Sequence, residues 1–186
     1  MAKVYFVRHA QPDLSVQDDL TRPLTEKGIA DSRKVTEFLL DKGITKIFSS
    51  PYKRAYDTIK DFAEKSNLNI DIIDDFKERK IDDVWIDDFN EFARKQWNNF
   101  DYKLERGESL NEVQRRNIKA LQEILEKYPS DNIVIGTHGT ALSTIINFYN
   151  KNFNYDDFER IKPLMPHIVY IDFEGFEAKE IKEHIL

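Results

Sequence analysis

Short β-branched and aromatic runs alternate along this chain with longer stretches of helical periodicity, and that alternation leaves few folds open. Lys3-Val4-Tyr5-Phe6-Val7, Ile47-Phe48, Ile70-Asp71-Ile72-Ile73 and Asn132-Ile133-Val134-Ile135-Gly136 read as buried strands. A polar loop over residues 9–24 follows the first. Thr25 then serves as N-cap of a helix whose inner face is Ile29, Val35, Phe38 and Leu39, and which stops at Lys42-Gly43. Ser49-Ser50-Pro51 caps and starts the next helix, with Pro51 near its first turn and Ala55, Ile59, Phe62 and Ala63 facing inward. Trp85, Phe89, Phe92 and Trp97 fall near helical spacing and predict a helical excursion over 87–99. Ser109-Leu110-Asn111-Glu112 is a capping box opening a helix that ends before Pro129, and another helix is expected over 140–149. His167–Phe173 and Phe176–Ile181 read as a hairpin turning at Glu174-Gly175.

The order β-α-β-α-β-(α-α)-β-α-β-β predicts an α/β fold. It is a three-layer α/β/α arrangement with a mostly parallel sheet and an antiparallel C-terminal edge hairpin. No linker, repeat or low-complexity tract interrupts residues 1–186, so one domain is expected, its excursion at about 76–108 covering the site. Composition narrows the class further. The chain carries 28 Lys+Arg against 34 Asp+Glu, a formal charge of −6, and no basic stripe, which argues against a nucleic-acid partner. A mean hydropathy of −0.61 and apolar runs far short of the ~20 residues a bilayer demands argue against a membrane span. There is no cysteine, hence no disulfide, thiolate nucleophile or Cys-ligated metal. With no secretory signal before the first strand, a cytoplasmic location is the expectation.

Ligands of such folds bind outside the carboxyl ends of the strands. There the sequence places Arg8 and His9 after the first strand, and Ser49, Ser50 and Arg54 after the second. Glu78 comes a few residues after the third, and Thr137, His138 and Gly139 follow the fourth. Two imidazoles, two guanidiniums and a carboxylate converging make a kit for a phosphate. Arg54 alone is ambiguous, since a cation in a helix's first turn opposes the macrodipole unless an anion sits between them. A lone strand-end histidine is usually structural; two at neighbouring ends, out of four in the chain, point to chemistry. A metal site is disfavoured, for there is no His-x-x-x-His pair and two arginines would repel a cation.

These residues carry a resemblance. Val7-Arg8-His9-Ala10, Leu24-Thr25-x-x-Gly28, Ser49-Ser50-Pro51-x-x-Arg54-Ala55-x-x-Thr58, Glu78, Gly107-Glu108-Ser109 and Gly136-Thr137-His138-Gly139 resemble, in order, the histidine phosphatase superfamily, also called phosphoglycerate mutase-like. The likeness falls toward its phosphatase branch and runs from residue 4 to about 145. It implies a metal-independent phosphomonoesterase without a cofactor, in which His9 is the nucleophile that becomes a phosphohistidine. Arg8, Arg54 and His138 would bind the phosphoryl oxygens, and Glu78 would protonate the leaving oxygen and then activate water. It also gives Glu108 a place orienting Arg8 or Arg54 beside the substrate. Arg22 is a candidate for the substrate rim, with a solvated loop arginine as the plainer alternative.

Two departures from the family pattern stand out. The usual glycine after the nucleophile is Ala10, for which a negative φ is expected. The acid's surroundings, Phe76-Lys77-Glu78-Arg79-Lys80-Ile81-Asp82-Asp83-Val84-Trp85, match less well, and Glu78 is preferred to Asp82 and Asp83 by its spacing before Trp85. The aromatic stripe from Trp85 to Trp97 is expected in the core or as a lid. A phosphoglycerate mutase-type transfer and a non-catalytic phospho-ligand module are the competing functions. The expected partner is a small phosphorylated substrate or inorganic phosphate.

Overall fold

The computed structural model describes residues 1–84 and 86–186; Trp85, the sequence marker for Glu78, lies outside the described residues. Six strands form one sheet: β1 (Ala2–Arg8), β2 (Lys46–Ser49), β3 (Ile70–Ile72), β4 (Asn132–Thr137), β5 (His167–Glu174) and β6 (Glu177–Ile185). Their order is β3-β2-β4-β1-β5-β6. Strands β3, β2, β4 and β1 run parallel, whereas β5 pairs antiparallel with β1 and carries β6 at the edge. Gly175, at φ +60, supplies the left-handed turn between β5 and β6, where a side chain would be strained.

The helices are α1 (Glu26–Leu39), α2 (Lys53–Ser66), α3 (Phe89–Asn98), α4 (Leu110–Lys127), α5 (Gly139–Tyr149) and α6 (Tyr155–Ile161). Alternation along β1 explains the layering, because successive side chains leave opposite faces of a strand. Val4 and Phe6 join a core with Leu121, Ile124, Leu142 and Phe158 from α4, α5 and α6. Tyr5 and Val7 join the opposite core with Val35, Leu39, Ile59 and Phe62 from α1 and α2. Thr25 caps α1 by accepting from the Gly28 N–H, and Ser109 and Glu112 form the expected capping box of α4.

Some local expectations fail. Ile29 is 51% exposed; α1 instead buries Gly28, Asp31, Ser32, Val35, Thr36 and Leu39, with Gly28 against the Gln11 backbone and Val35 and Leu39 packed with Ile59 and Phe62 of α2. Helix α2 starts at Lys53 after Tyr52, so Pro51 precedes it rather than opening it, and the Ser50 hydroxyl accepts only from the Tyr52 N–H. Helix α6 was not expected: seven residues give too short a periodicity, although its Asn154–Asp157 capping box is visible in the sequence. Among the described residues, no helix is long and apolar enough to cross a membrane.

Candidate active site

The parallel pairing of β1 with β4 continues past the strands. Arg8 lies opposite Thr137, and the His9 N–H donates to the Thr137 carbonyl at 3.1 Å. On the other side of β4 the Ser50 N–H donates to the Gly136 carbonyl at 2.9 Å. Three neighbouring strands therefore release their chains at one level, and the first residues beyond them meet. The His9 and His138 rings are 5.3 Å apart.

Each imidazole is held by one nitrogen. His9 Nδ1 lies 2.8 Å from the Ala10 carbonyl, which only accepts, so Nδ1 carries the hydrogen and Nε2 keeps its lone pair. His138 Nε2 lies 2.8 Å from the Ser50 hydroxyl, while its buried Nδ1 has no partner among the described residues. Tyr52 packs edge-on against His138 at 5.1 Å and under the Arg54 guanidinium at 4.9 Å. The Ala10 N–H donates to Thr58, and no positive φ is recorded at Ala10, as expected for that departure from the family pattern. Burial, then the Arg54 and Arg8 charges, hold His9 well below the ordinary histidine range. Burial and Arg54 do the same to His138. Both rings are neutral at neutral pH.

The guanidiniums are buried too. Arg8 donates through Nη1 to the carbonyls of Ile161 and Leu164 at 2.8 and 3.1 Å, and its Nε has no partner among the described residues. Burial pushes Arg8 down to about 10, which leaves it cationic. Arg54 donates to the Asp19 carbonyl at 2.8 Å and pairs with its carboxylate at 3.3 Å. Arg22 shares that carboxylate at 2.9 Å and is itself buried, held by the Val16 and Gln17 carbonyls, so the solvated-loop alternative does not describe it.

Glu78 reaches the same place from the opposite wall. One oxygen accepts from the Thr140 N–H at 2.9 Å, and the other from the N–H groups of Ala141 and Arg79 at 3.0 and 2.8 Å. The carboxylate thus sits on the first turn of α5, where the helix dipole favours it. Arg8, Arg22, Arg54, Glu78, Gly139 and Thr140 all line one cavity of about 580 Å³. Asp82 and Asp83 stand at its rim, Asp83 paired with Lys80 and with Arg106.

Glu108 departs from expectation. Its carboxylate grips Arg116 in a two-point contact at 2.8 and 3.0 Å and accepts the Lys80 N–H, with no bond to Arg8 or Arg54. The same Arg116 guanidinium donates to the carbonyls of Asp75, Lys77 and Glu78. The pair fixes the backbone that presents Glu78. Sequence reasoning did not single out Arg116. Its signal was position: seven residues beyond the Ser109 cap it returns to the face of α4 that holds that cap.

Among the described residues, no cluster of three His, Asp or Glu side chains is arranged to hold a metal. The arrangement offers a neutral imidazole lone pair on His9 close enough to Arg54 and Arg8 to feel their charge, unpartnered nitrogens on Arg8 and His138, and the Glu78 carboxylate on the wall of the cavity that Arg8 and Arg54 also line.

Comparison with known proteins identifies relatives of this chain. The chain is 29% identical over 150 residues to the uncharacterized phosphatase PhoE of Bacillus subtilis, covering 78% of this chain and 76% of that one. It is 30% identical over 164 residues to the probable phosphoglycerate mutase GpmB of Yersinia pestis, covering 79% and 74%. Among solved structures, Bacillus stearothermophilus YhfR superposes with TM-score 0.78 at 22% identity, over 100% of this chain and 95% of that one. An Entamoeba histolytica phosphoserine phosphatase in complex with 3-phosphoglyceric acid superposes at 0.77 with 18% identity, over 98% and 97%. The family model described as histidine phosphatase superfamily (branch 1) matches residues 4–183, and this chain is a member of that superfamily.

Proposed function

We propose that this protein is a phosphomonoesterase that uses no metal and works through a phosphohistidine on His9. One observation carries the reading: two buried neutral imidazoles 5.3 Å apart, with the His138 Nδ1 and the Arg8 Nε both buried and unpartnered among the described residues. Leaving buried donors unpaired costs roughly 1–3 kcal/mol each, which a bound phosphoryl group would recover. The phosphatase and mutase names of its relatives support the same class.

In this reading His9 Nε2 attacks phosphorus, forming an N–P bond as the ester P–O bond breaks. Arg8, Arg54 and the Nδ1–H of His138 neutralise the charge on the equatorial oxygens, with Ser50 donating to His138 Nε2 to fix that tautomer. To bind, the phosphoryl group competes with the Asp19 carboxylate at Arg54. The acid form of Glu78 gives its proton to the leaving oxygen and becomes the carboxylate that accepts from the Thr140, Ala141 and Arg79 N–H groups. It then takes a proton from water as the water attacks phosphorus and the N–P bond breaks, returning neutral His9 and inorganic phosphate. Arg22 borders the substrate, and Glu108 acts through Arg116 on the Glu78 segment. We read residues 1–186 as one domain whose 76–108 segment covers the site.

The test is rapid alkaline quenching of enzyme mixed with a ³²P-labelled phosphomonoester. Label on His9, lost together with turnover in His9→Asn, is expected; undiminished turnover in that variant rejects the assignment. Activity should survive a chelator. A mutase reading rests on the relatives bearing that name, and isomerisation of 3-phosphoglycerate without phosphate release would establish it instead.

A further inference from the structure

The sheet ends on its longest strand. β6, Glu177–Ile185, pairs with β5 along one side and closes the sheet with its other side unpaired among the described residues. A strand so placed turns the N–H and C=O of alternate residues outward, a template for another strand. Natural edges are guarded against such pairing by bulges and by charge. β6 has a bulge at Lys179, where its register with β5 shifts, but from Glu180 to Ile185 the pairing is regular. Its charges do not repel a copy of themselves.

The pattern is Glu177-Ala178-Lys179-Glu180-Ile181-Lys182-Glu183-His184-Ile185. Directly opposed residues of an antiparallel pair share a face. A two-fold axis at Ile181 therefore sets Ile181 against its own copy, and Glu180 against Lys182 on both sides of the axis. The next pair out, Lys179 and Glu183, is also opposite in sign, although each already has a partner in its own chain, Glu177 and Arg160. Neighbouring registers fail. Centring on Glu180 or on Lys182 opposes that residue to its own copy, and shifting the axis half a residue opposes Lys179 to Lys182 or Glu180 to Glu183. Like charges directly opposed destabilise a sheet, so of these registers only the one centred on Ile181 is free of repulsion. The side chains are placed for it. Glu180 and Lys182 are 46% and 56% exposed and touch at 2.8 Å on one face of β6. Ile181 is half-buried on the other face, against the core that holds Ile171 and Phe173.

We infer that β6 is a self-association edge, on which two copies of this chain join antiparallel about Ile181 and continue one six-stranded sheet into the other. No β6 residue lines the active-site cavity, so the inference is independent of the phosphoester reading.

Sedimentation equilibrium of the whole chain tests it, from about 1 to 300 μM, the span in which so small an interface associates. Wild type should pass from monomer to dimer. Lys182→Glu opposes carboxylates on both sides of the axis, and Glu180→Lys opposes ammonium groups there; each variant alone should associate about tenfold more weakly or worse. An equimolar mixture of the two variants puts opposite charges face to face again, and should form the dimer that neither forms by itself. That repair works only between chains, which separates pairing across the axis from any effect within one strand. A wild type that stays monomeric throughout, a dimer unmoved by either substitution, or a mixture that stays monomeric would overturn the inference. If one variant does not fold, Glu180→Lys/Lys182→Glu decides: it reverses both partners and must dimerise as wild type does.

Discussion

Between pH 7.5 and 5 the buried ring of His167 should cost this protein a measurable part of its stability. His167 opens β5, opposite Arg8 in the register, and is wholly buried. Burial holds it down to about 4, against the partial pull of Glu183, whose carboxylate lies 3.4 Å away and is shared with Arg160. The nearby Arg8 charge adds to the depression. The sign follows from proton counting: the unfolded ring titrates near 6.5, so below that pH the unfolded chain gains a proton that the fold refuses. The contribution is intact above about 6.5 and is lost progressively down to about 4. At pH 5 the loss is 1.5 pH units at ~1.4 kcal/mol each, or about 2 kcal/mol, roughly 4–8 °C in Tm for a chain of this size. Urea unfolding at both pH values should show wild type losing about 2 kcal/mol more than His167→Leu. His9 and His138 act in the same direction in both proteins, so the difference isolates His167. Equal losses in the two proteins would mean that the ring accepts its proton inside the fold, and the burial argument would be wrong.

Other consequences follow from single contacts. A Cβ at Gly139 would stand 3.1 Å from Cζ, Nε and Nη2 of Arg8, so Gly139→Ala should lower kcat by about a hundredfold with little change in the unfolding midpoint. Steady-state kinetics with an unchanged kcat would remove Arg8 from the reaction. A Cβ at Gly107 would lie 2.0 Å from the Ile81 carbonyl oxygen, which is backbone and cannot swing away. Gly107→Ala should therefore cost about 2 kcal/mol or more by denaturant titration, and a neutral result would contradict the packing of that turn. Arg116→Met strips Glu108 of its partner and frees three carbonyls leading to Glu78; kcat should fall more than KM rises, with Arg116→Lys recovering only part. A change in KM alone would place Arg116 with the substrate rather than behind Glu78.

The residues that needed only local information were legible. His9 and His138 each stand directly past the end of an apolar strand, and a parallel α/β sheet sends such positions to one edge, so their meeting was implied by the order of elements. Thr25, Ser109 and Glu112 were readable as caps because a cap bonds within three residues of itself. Ile29 was misplaced because periodicity reports a face without saying what that face will meet. The start of α2 was misplaced because Pro51 fits equally in a helix's first turn and just before it.

The sequence by itself determined the alternation of strands and helices, and with it which strand ends could carry chemistry. Only the tertiary structure decided who pairs with whom. Glu108 went to Arg116 rather than to Arg8 or Arg54, Asp19 came to lie between two arginines, and Arg79 was buried against the Gln96 amide. Backbone hydrogen bonding and hydrophobic period act over a few residues and leave their mark in the order of amino acids. An ion pair is chosen by distances that exist only after segments far apart in the chain have packed.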